Sequence, residues 1–139
     1  MKQRTPVSEI MTKNIVSLTK SDDLEKAEML FKRHKIKHMP VVSRGMIIGI
    51  LSYTDLMRIS YAETSSKAEN TIESVVYNMF TIEQVMVKDV VTVSSKTSIK
   101  DVTKILAACE FHALPVVDND TLIGIVTTTD LLNYYHKQF

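Results

Sequence analysis

Apolar residues at two places in the chain recur three or four positions apart, which is the spacing of a helix that buries one face. The first stripe consists of Leu24, Ala27, Leu30 and Phe31, and the second of Ile99, Val102, Ile105, Leu106 and Cys109. Residues that commonly cap helices precede both stripes: Ser21 or Asp22 the first, Thr97 or Ser98 the second. The pattern therefore predicts two amphipathic helices, each with a capping side chain at its start.

Short β-branched runs surround both predicted helices. Upstream, Ile15–Leu18 and Val90–Val93 predict one strand each. Strand pairs about the turns 43–46 and 118–121 are predicted downstream, over residues 38–42 with 47–51 and 113–117 with 122–126. A further helix follows each pair, over about 54–60 and 129–136. Each half of the chain thus reads β-α-β-β-α, which predicts a mixed α/β (α+β) fold.

The two halves are copies of one unit. Sliding residues 7–57 onto residues 82–132 needs no gap and gives 12 identical residues in 51 pairs, all 75 positions apart. The predicted segments are repeat 1 over 7–60, a linker over 61–81 that contains a helix from about 67 to 80, and repeat 2 over 82–136. Because a repeat of about 50 residues buries little core alone, we expect the two to pack as one body.

Composition narrows the classes of function. The 139 residues include 17 Lys and Arg against 16 Asp and Glu, a net charge of +1, so bulk electrostatics attracts the chain neither to nucleic acid nor to an anionic membrane. A single Cys excludes an internal disulfide and a thiolate-rich zinc site. No apolar run has the length of a signal peptide or of a membrane span. We therefore expect a cytoplasmic protein that binds no nucleic acid and does not insert into membranes.

The candidate chemistry lies where a strand runs into a helix in each repeat. Residues 49–55 read Gly-Ile-Leu-Ser-Tyr-Thr-Asp, and residues 124–130 read Gly-Ile-Val-Thr-Thr-Thr-Asp. Such a junction offers backbone N–H groups to an anion, and its carboxylate can accept hydrogen bonds from a ribose diol. Thr54 and Thr129 could instead serve as N-caps. The equal spacing in both copies, each with a Gly that opens space beside the strand, favours a ligand-binding role.

Other candidate groups give weaker signals. Residues 32–38 carry four fixed positive charges where residues 107–113 carry one negative charge. His34 and His38 have the spacing of a metal-binding pair on a helix, but the lysines between them disfavour a metal ion. Cys109 lies on an apolar helix face without a matching His and carboxylate pair. We therefore predict no catalytic residue and no metal site, and a protein that is not an enzyme.

The order of elements and several motifs resemble a tandem of CBS domains, named after cystathionine β-synthase. The motifs are the strand sequences His-Met-Pro-Val-Val and Ala-Leu-Pro-Val-Val and the Thr-Asp that closes each junction. The resemblance covers about residues 7–60 and 82–136. It implies two repeats around a pseudo-twofold axis, two clefts that commonly bind adenine nucleotides, and disc-shaped dimers of such pairs. It also implies a regulatory binding module that performs no catalytic step.

The resemblance further implies which residues contact the ligand. It assigns to the first cleft Ser52, Thr54, Asp55, Val91 and His112. It assigns to the second cleft Val16, Lys37, His38, Thr127, Thr129 and Asp130. Ala113 stands where many relatives have a basic residue, which weakens phosphate binding in the first cleft. With the basic segment 32–38, this predicts that the Asp130 cleft takes ATP or ADP, and that the Asp55 cleft takes AMP or stays empty.

Two interpretations of the whole module remain open at this point. In the first, it senses AMP, ADP or ATP, with S-adenosylmethionine or a cyclic dinucleotide as further ligands, and acts on a client protein in trans or through its own homodimer. In the second, the clefts are empty and the chain is a structural dimerisation module. The second would dock through the apolar side chains of the helices near 54–60 and 129–136, which include Leu56, Met57, Leu131, Leu132, Tyr134 and Tyr135.

Overall fold

The computed structural model describes residues 4–64, 79–109 and 111–139. It confirms a mixed helix and strand fold, in which the chain forms two compact units. The Asp55 unit, as we call it, combines Val16–Arg44 with the described residues of Ile48–Asp89. The Asp130 unit combines residues 4–15 and 45–47 with the described residues of Val90–Phe139. The linker helix predicted from about 67 to 80 lies almost entirely outside the described residues.

The two units contain equivalent elements, but the short helical element comes last in the Asp55 unit and first in the Asp130 unit. Those of the Asp55 unit are α1 (Leu24–His34), β1 (His38–Ser43), β2 (Met46–Ser52), α2 (Tyr53–Thr64) and the short α3 (Ile82–Val85). Those of the Asp130 unit are a 3-10 turn (Val7–Glu9), α4 (Ile99–Ala108), β3 (Ala113–Asp118), β4 (Thr121–Thr127) and α5 (Thr128–His136). The strands pair as two small sheets, β1 with β2 and β3 with β4, which confirms both predicted hairpins.

The helix α1 begins later than its predicted caps suggest. Asp23 caps it, because the Asp23 carboxylate accepts a hydrogen bond from the N–H group three positions on at 2.7 Å. Ser21 and Asp22 were therefore wrong as caps, since both are drawn into the preceding turn. The Asp22 carboxylate accepts from the Thr19 N–H at 2.8 Å, and the Ser21 and Thr19 hydroxyls lie 3.0 Å apart. For α4, the predicted cap Ser98 is confirmed.

Both hairpins turn through two residues in the left-handed region. Arg44 and Gly45 have φ angles of 54° and 79°, and Asn119 and Asp120 have φ angles of 50° and 63°. Two consecutive left-handed residues are typical of a type I′ turn, whose twist matches that of the strands it joins. Gly, Asn and Asp adopt this conformation at low cost, which explains why both turns could be predicted from the sequence.

The strands predicted upstream of each main helix are reduced to single bridges. Leu18 pairs with Val41, and Val93 pairs with Val116, both in parallel. Each ladder stops for the same reason: the next hydrogen bond would need an N–H at Pro40 or at the matching proline of β3, and proline has none. The predicted strands Ile15–Leu18 and Val90–Val93 were therefore wrong in extent, although one residue of each pairs as expected.

Each unit is completed by a segment from the start of the other repeat. In the Asp55 unit, Ile50 of β2 exchanges two backbone hydrogen bonds with Val87, at 3.0 and 2.8 Å. In the Asp130 unit, Ile125 of β4 exchanges two with Thr12, at 2.8 and 3.0 Å. Both partners of the second pair lie 75 positions from those of the first. The duplication thus extends from the residues to the backbone hydrogen bonds that close each unit.

Each unit has a hydrophobic core of its own. It is formed mainly by side chains of the two strands, the two longer helices and the segment from the other repeat. In the Asp55 unit the core residues are Leu18, Leu24, Ala27, Phe31, Met39, Val41, Leu51, Leu56, Ile82 and Met86. The core of the Asp130 unit consists of Val7, Val93, Ile99, Val102, Leu106, Leu114, Val116, Val126 and Leu131. In the part of the chain that the structure describes, no helix is both long and apolar enough to cross a membrane.

Candidate functional site

In the Asp55 unit, the junction between β2 and α2 is held by two hydrogen bonds. The Ser52 hydroxyl accepts from the Asp55 N–H at 3.0 Å, which satisfies one of the N–H groups that a helix start leaves without a partner. The Tyr53 N–H donates to the Lys37 carbonyl at 2.8 Å. This second bond places the residue before β1 directly against the start of α2. Thr54, between the two bonded N–H groups, is exposed.

The Asp130 unit repeats this arrangement with one addition. The Thr127 hydroxyl accepts from the Asp130 N–H at 3.1 Å, and the Asp130 carboxylate accepts in return from the Thr127 N–H at 3.0 Å. The reciprocal pair is a capping box, which fixes the orientation of the carboxylate. The Thr128 N–H donates to the His112 carbonyl at 2.9 Å. Thr129 is exposed, as its counterpart is.

The capping residues are therefore Ser52 and Thr127, and the interpretation of Thr54 and Thr129 as N-caps was wrong. Both helices start two residues earlier than that interpretation assumed, at positions 53 and 128. The hydroxyls of Thr54 and Thr129 are consequently on exposed residues in the first helical turn. Since each capping hydroxyl uses its oxygen as an acceptor, its O–H remains a donor. Each junction combines a carboxylate with hydroxyl groups, which suits a ligand rich in hydroxyls or phosphates.

The two aspartates differ in their partners. Asp55 pairs with Arg58 across 3.2 Å, and the Arg58 side chain is 72% exposed. An exposed pair of this kind contributes less than about 1 kcal/mol, so a ligand can displace it at little cost. Asn133 stands at the matching position of the Asp130 unit. Arg58 was missed by the sequence reasoning, although its spacing of three from Asp55 on a predicted helix could have indicated the pair.

The remaining residues assigned to ligand binding differ in exposure. Lys37 and His112 are exposed, and His38 is half-buried as the first residue of β1. Val16 is half-buried against the core of its unit, whereas its counterpart Val91 is 43% exposed. Within each unit, the residue directly before the first strand of the hairpin thus lies beside the start of the helix that carries the aspartate: Lys37 beside α2 and His112 beside α5. The division of these residues into two clefts, which draws on both units, stays a prediction.

The glycines of the two junctions have a structural role that the sequence reasoning misread. A Cβ built on Gly49 would lie 2.5 Å from the Met86 sulfur and 2.9 Å from the Val87 carbonyl oxygen. A Cβ built on Gly124 would lie 2.5 Å from the Met11 sulfur. Both methionines belong to the segments that complete each unit. The space beside each strand is thus filled by the protein itself, and these glycines are not evidence for a ligand.

Two other sequence signals are resolved by the local backbone. His34 is the last residue of α1, and Lys35 ends that helix in the left-handed region at φ 54°. Because His38 already belongs to β1, the two histidines do not share a helix face. Cys109 follows the end of α4 and is only partly buried, so its description as a buried helical residue was wrong. Among the residues described, no three His, Cys, Asp or Glu side chains are grouped closely enough to hold a metal ion.

The apolar face proposed for docking is largely used by the cores. Leu56 and Leu131 are 0% and 5% exposed. Tyr134 and Tyr135 pack against the core of the Asp130 unit, and the Tyr135 hydroxyl lies 2.7 Å from that of Thr103. Of the apolar residues named for this face, Leu132 alone is among the strongly exposed ones of the described chain, at 64%. In the described residues of this face, most apolar side chains are therefore occupied in the cores, which leaves little apolar surface for a purely structural module.

Comparison with known proteins identifies a family model and several relatives. The model of the CBS domain matches the chain twice, over residues 7–62 and 82–137. Protein MJ1225 of Methanocaldococcus jannaschii is 26% identical over 130 residues, which are 93% of this chain and 46% of that protein. The chain thus spans about half the length of this relative.

Two solved structures resemble the chain over nearly its whole length. The CBS domain pair of protein MJ0100, in complex with 5′-methylthioadenosine and S-adenosyl-L-methionine, has a TM-score of 0.79 and 23% identity, covering 97% of this chain and 98% of that one. CBSX2 from Arabidopsis thaliana, in complex with AMP, has a TM-score of 0.79 and 21% identity, covering 96% and 98%. At these identities the likeness demonstrates a shared fold.

Proposed function

The chain belongs to the CBS-domain family, and on this premise we propose that it is a regulatory module that binds ligands with an adenosine group. Its ligands are AMP, ADP or ATP, and it works by binding rather than by catalysis. The observation that carries the proposal is the junction found in both units, where an aspartate and an exposed threonine begin a helix beside the end of a strand. The ligands present in the MJ0100 pair and in CBSX2 support the adenosine group.

The chemistry of each junction fits the parts of such a ligand. Asp55 and Asp130 accept hydrogen bonds from the two ribose hydroxyls, since a carboxylate offers two oxygens with two lone pairs each. The first of these gives up its ion pair with Arg58, and the second keeps its bond to the Thr127 N–H. The exposed hydroxyls of Thr54 and Thr129 donate to phosphate oxygens. Ligand binding changes the self-association of the chain or its contact with a client protein, and this change is the regulatory output of the module.

A ligand screen on the full chain tests the proposal. We expect adenosine, AMP, ADP and ATP to raise the melting temperature, because a ligand that binds only the folded state stabilises it by mass action. At a concentration 100 times the dissociation constant, the stabilisation amounts to about 2.7 kcal/mol. Guanosine and GMP serve as controls with the same ribose and phosphate. The proposal fails if no adenine compound shifts the melting temperature, or if the guanine compounds shift it equally.

The phosphate preference is tested at Lys37, which is exposed and lies beside the α2 junction. Lys37→Ala is expected to weaken ATP binding about tenfold and to leave adenosine binding unchanged, because an ammonium group binds phosphate and adenosine has none. Arg33→Ala is the matched control, since Arg33 is an exposed cation of the same basic segment on α1. Calorimetric titration measures both. Equal losses for ATP and adenosine, or none for ATP, would contradict a role of Lys37 in phosphate binding.

A further inference from the structure

The Asp130 unit has a pocket that contains none of the residues assigned to nucleotide binding. Its volume is about 540 Å³, and it lies between the N-terminal segment and the loop that leads into α4. Three cationic side chains line it: Arg4, Lys96 and Lys100. The other lining groups are three hydroxyls and the carboxylate of Asp101. We propose that this pocket binds small anions that carry two or more phosphate groups.

In the described part of the chain, the pocket cations form none of the identified ion pairs, although the charge of Lys96 acts on the neighbouring Asp118 carboxylate. Within residues 4–64, 79–109 and 111–139, the identified ion pairs join Lys26 to Asp22, Lys32 to Glu28 and Arg58 to Asp55, and none involves a pocket cation. Three positive charges against one carboxylate leave a net charge of +2 on a chain whose total is +1. Like charges gathered in a pocket repel one another, and a multivalent anion removes that repulsion.

The backbone around the pocket is fixed by hydrogen bonds. The Val7 N–H donates to the Thr97 carbonyl at 2.7 Å, the Ser8 N–H to the Ser95 carbonyl at 3.2 Å, and the Ile99 N–H to the Thr5 carbonyl at 2.8 Å. These three bonds tie the N-terminal segment to the loop before α4. The walls that carry the cations are therefore in place before a ligand arrives, which lowers the entropy cost of binding.

A second set of contacts holds the loop from the other side. Asp118, at the end of β3, accepts hydrogen bonds from both the hydroxyl and the N–H of Ser95. Hydrogen bonds from Ser95 lower the pKa of Asp118, and the charge of Lys96 lowers it further. The start of α4 offers few N–H groups to an anion, because the Thr5 carbonyl accepts from the Ile99 N–H and the Ser98 hydroxyl accepts from the Asp101 N–H. Side-chain cations therefore supply the attraction for an anion.

The other copy of the repeat lacks these charges on an equivalent backbone. The positions 75 residues from Arg4, Lys96 and Lys100 are occupied by Met79, Ser21 and Glu25. Those that match Thr97 and Ser98 are Asp22 and Asp23. At three of these five positions the Asp55 unit has a carboxylate in place of a cation or a hydroxyl, and Lys26 stands where the pocket has Asp101. The contrast shows that the shared fold does not require the cations, and comparing charges between the repeats could have revealed the pocket from sequence.

The size and charge of the pocket decide the class of ligand. A single phosphate or carboxylate would occupy a small part of 540 Å³. A chain of phosphates can contact all three, with the hydroxyls donating to the remaining oxygens. Such a chain exists free, as inorganic polyphosphate, or as part of a nucleotide. The chemistry is the same for both sources, so an experiment must separate them.

Calorimetric titration of the full chain with inorganic triphosphate, at low ionic strength, tests the proposal. We expect saturable binding that weakens as salt is added. Lys96→Ser and Lys100→Glu, which install the residues of the other repeat, are each expected to weaken binding at least tenfold. Lys104→Ala is the matched control, because Lys104 is an exposed lysine one turn further along α4, outside the pocket. Unchanged affinity in both pocket variants, or no binding by the unaltered chain, would overturn the proposal.

Further variants separate this pocket from the proposed nucleotide sites. Asp130→Asn and Lys37→Ala are expected to bind triphosphate as the unaltered chain does, and Lys100→Glu to bind adenosine normally. The proposed nucleotide function can therefore fail while triphosphate still binds. In the double variant with Asp55 and Asp130 replaced by Asn, we test whether ATP competes with triphosphate. Competition indicates that the pocket takes the phosphate chain of a nucleotide, and no competition indicates that it takes free polyphosphate. Both outcomes support the pocket. If Lys37→Ala lost triphosphate binding while the pocket variants kept it, the anion would bind elsewhere and the proposal of this pocket would be refuted.

Discussion

Replacing Gly49 with alanine is expected to lower the free energy of unfolding by about 3 kcal/mol, the upper end of the usual cost of overpacking a core. The added Cβ would lie 2.9 Å from the Val87 carbonyl oxygen. That oxygen cannot retreat freely, because it accepts the Ile50 N–H in the bridge that completes the unit. Denaturant unfolding measures the loss, and a decrease of about 10 °C in melting temperature should accompany it.

The matching change at Gly124 is expected to cost less, about 1 kcal/mol. The three heavy atoms nearest to the Cβ that alanine would add there all belong to the Met11 side chain, which is flexible and can move aside. Met11→Ala removes these atoms, so a double-mutant cycle with Gly124→Ala should show a favourable coupling. Met86→Ala should restore Gly49→Ala only in part, since the carbonyl contact remains. Equal costs and equal rescue in both units would contradict this account of the two glycines.

Gly45 supplies the control for these substitutions. A Cβ there meets no atom within 4 Å, but φ is 79°, in the left-handed region. Gly45→Asn should therefore be nearly neutral, because asparagine tolerates that region. Gly45→Val should destabilise the turn, because a β-branched residue does not. If Gly45→Asn lowered the free energy of unfolding as much as Gly49→Ala does, steric contact would not be what distinguishes these sites.

Replacing Asp130 or Asp55 with asparagine is expected to weaken adenosine binding about 100-fold at the altered site. The exchange removes the charged acceptor that we propose for two ribose hydroxyls, and a hydrogen bond to a charged group contributes about 1.5–3 kcal/mol. Asparagine retains one carbonyl oxygen, so the Asn side chain can still accept the Thr127 N–H and preserve the helix cap. Titration with adenosine, which lacks phosphate, isolates the ribose contact.

Asp120→Asn is the matched control for the aspartate variants. It makes the same change of charge at a left-handed turn position, where asparagine is favoured. We expect it to bind adenosine as the unaltered chain does. Arg58→Ala should bind adenosine at least as well, since it removes the cation that competes for Asp55. Unaltered binding in both aspartate variants, with normal melting temperatures, would exclude the aspartates as ribose ligands.

The predictable parts of the fold are those that depend on neighbours in sequence. The two main helices follow from apolar spacing, and both hairpins follow from turn residues that accept left-handed backbone. The start of α1 was misplaced by a residue or two, because Ser21, Asp22 and Asp23 are all competent caps and the preceding turn selects among them. The lengths of the upstream strands depended on their alignment with Pro40 and Pro115, which local patterns do not encode.

The candidate site was predictable where the repeat exposed it. The junctions ending at Asp55 and Asp130 could be identified because they occur twice at the same spacing. Backbone hydrogen bonds link Lys37 to the Asp55 junction and His112 to the Asp130 junction, whereas the resemblance grouped each of these residues with the other aspartate, and that grouping stays a prediction. The role of Gly49 was not predictable, since the methionine that fills the space beside it comes from a segment 37 positions away. Contacts of that kind are decided by tertiary packing and leave no periodic signal.

The exchanged segments also govern the order in which the protein can fold. Thr12 finds its partner only at Ile125, 113 positions later, so the ribosome has made most of the chain before the bridge can form. Until then the apolar side chains near the N-terminus, Val7 among them, lack the core that buries them. Pairings of such long range are slow to form. We therefore expect the Asp55 unit, whose bridge spans only 37 positions, to be structured first during synthesis, with the Asp130 unit closing last.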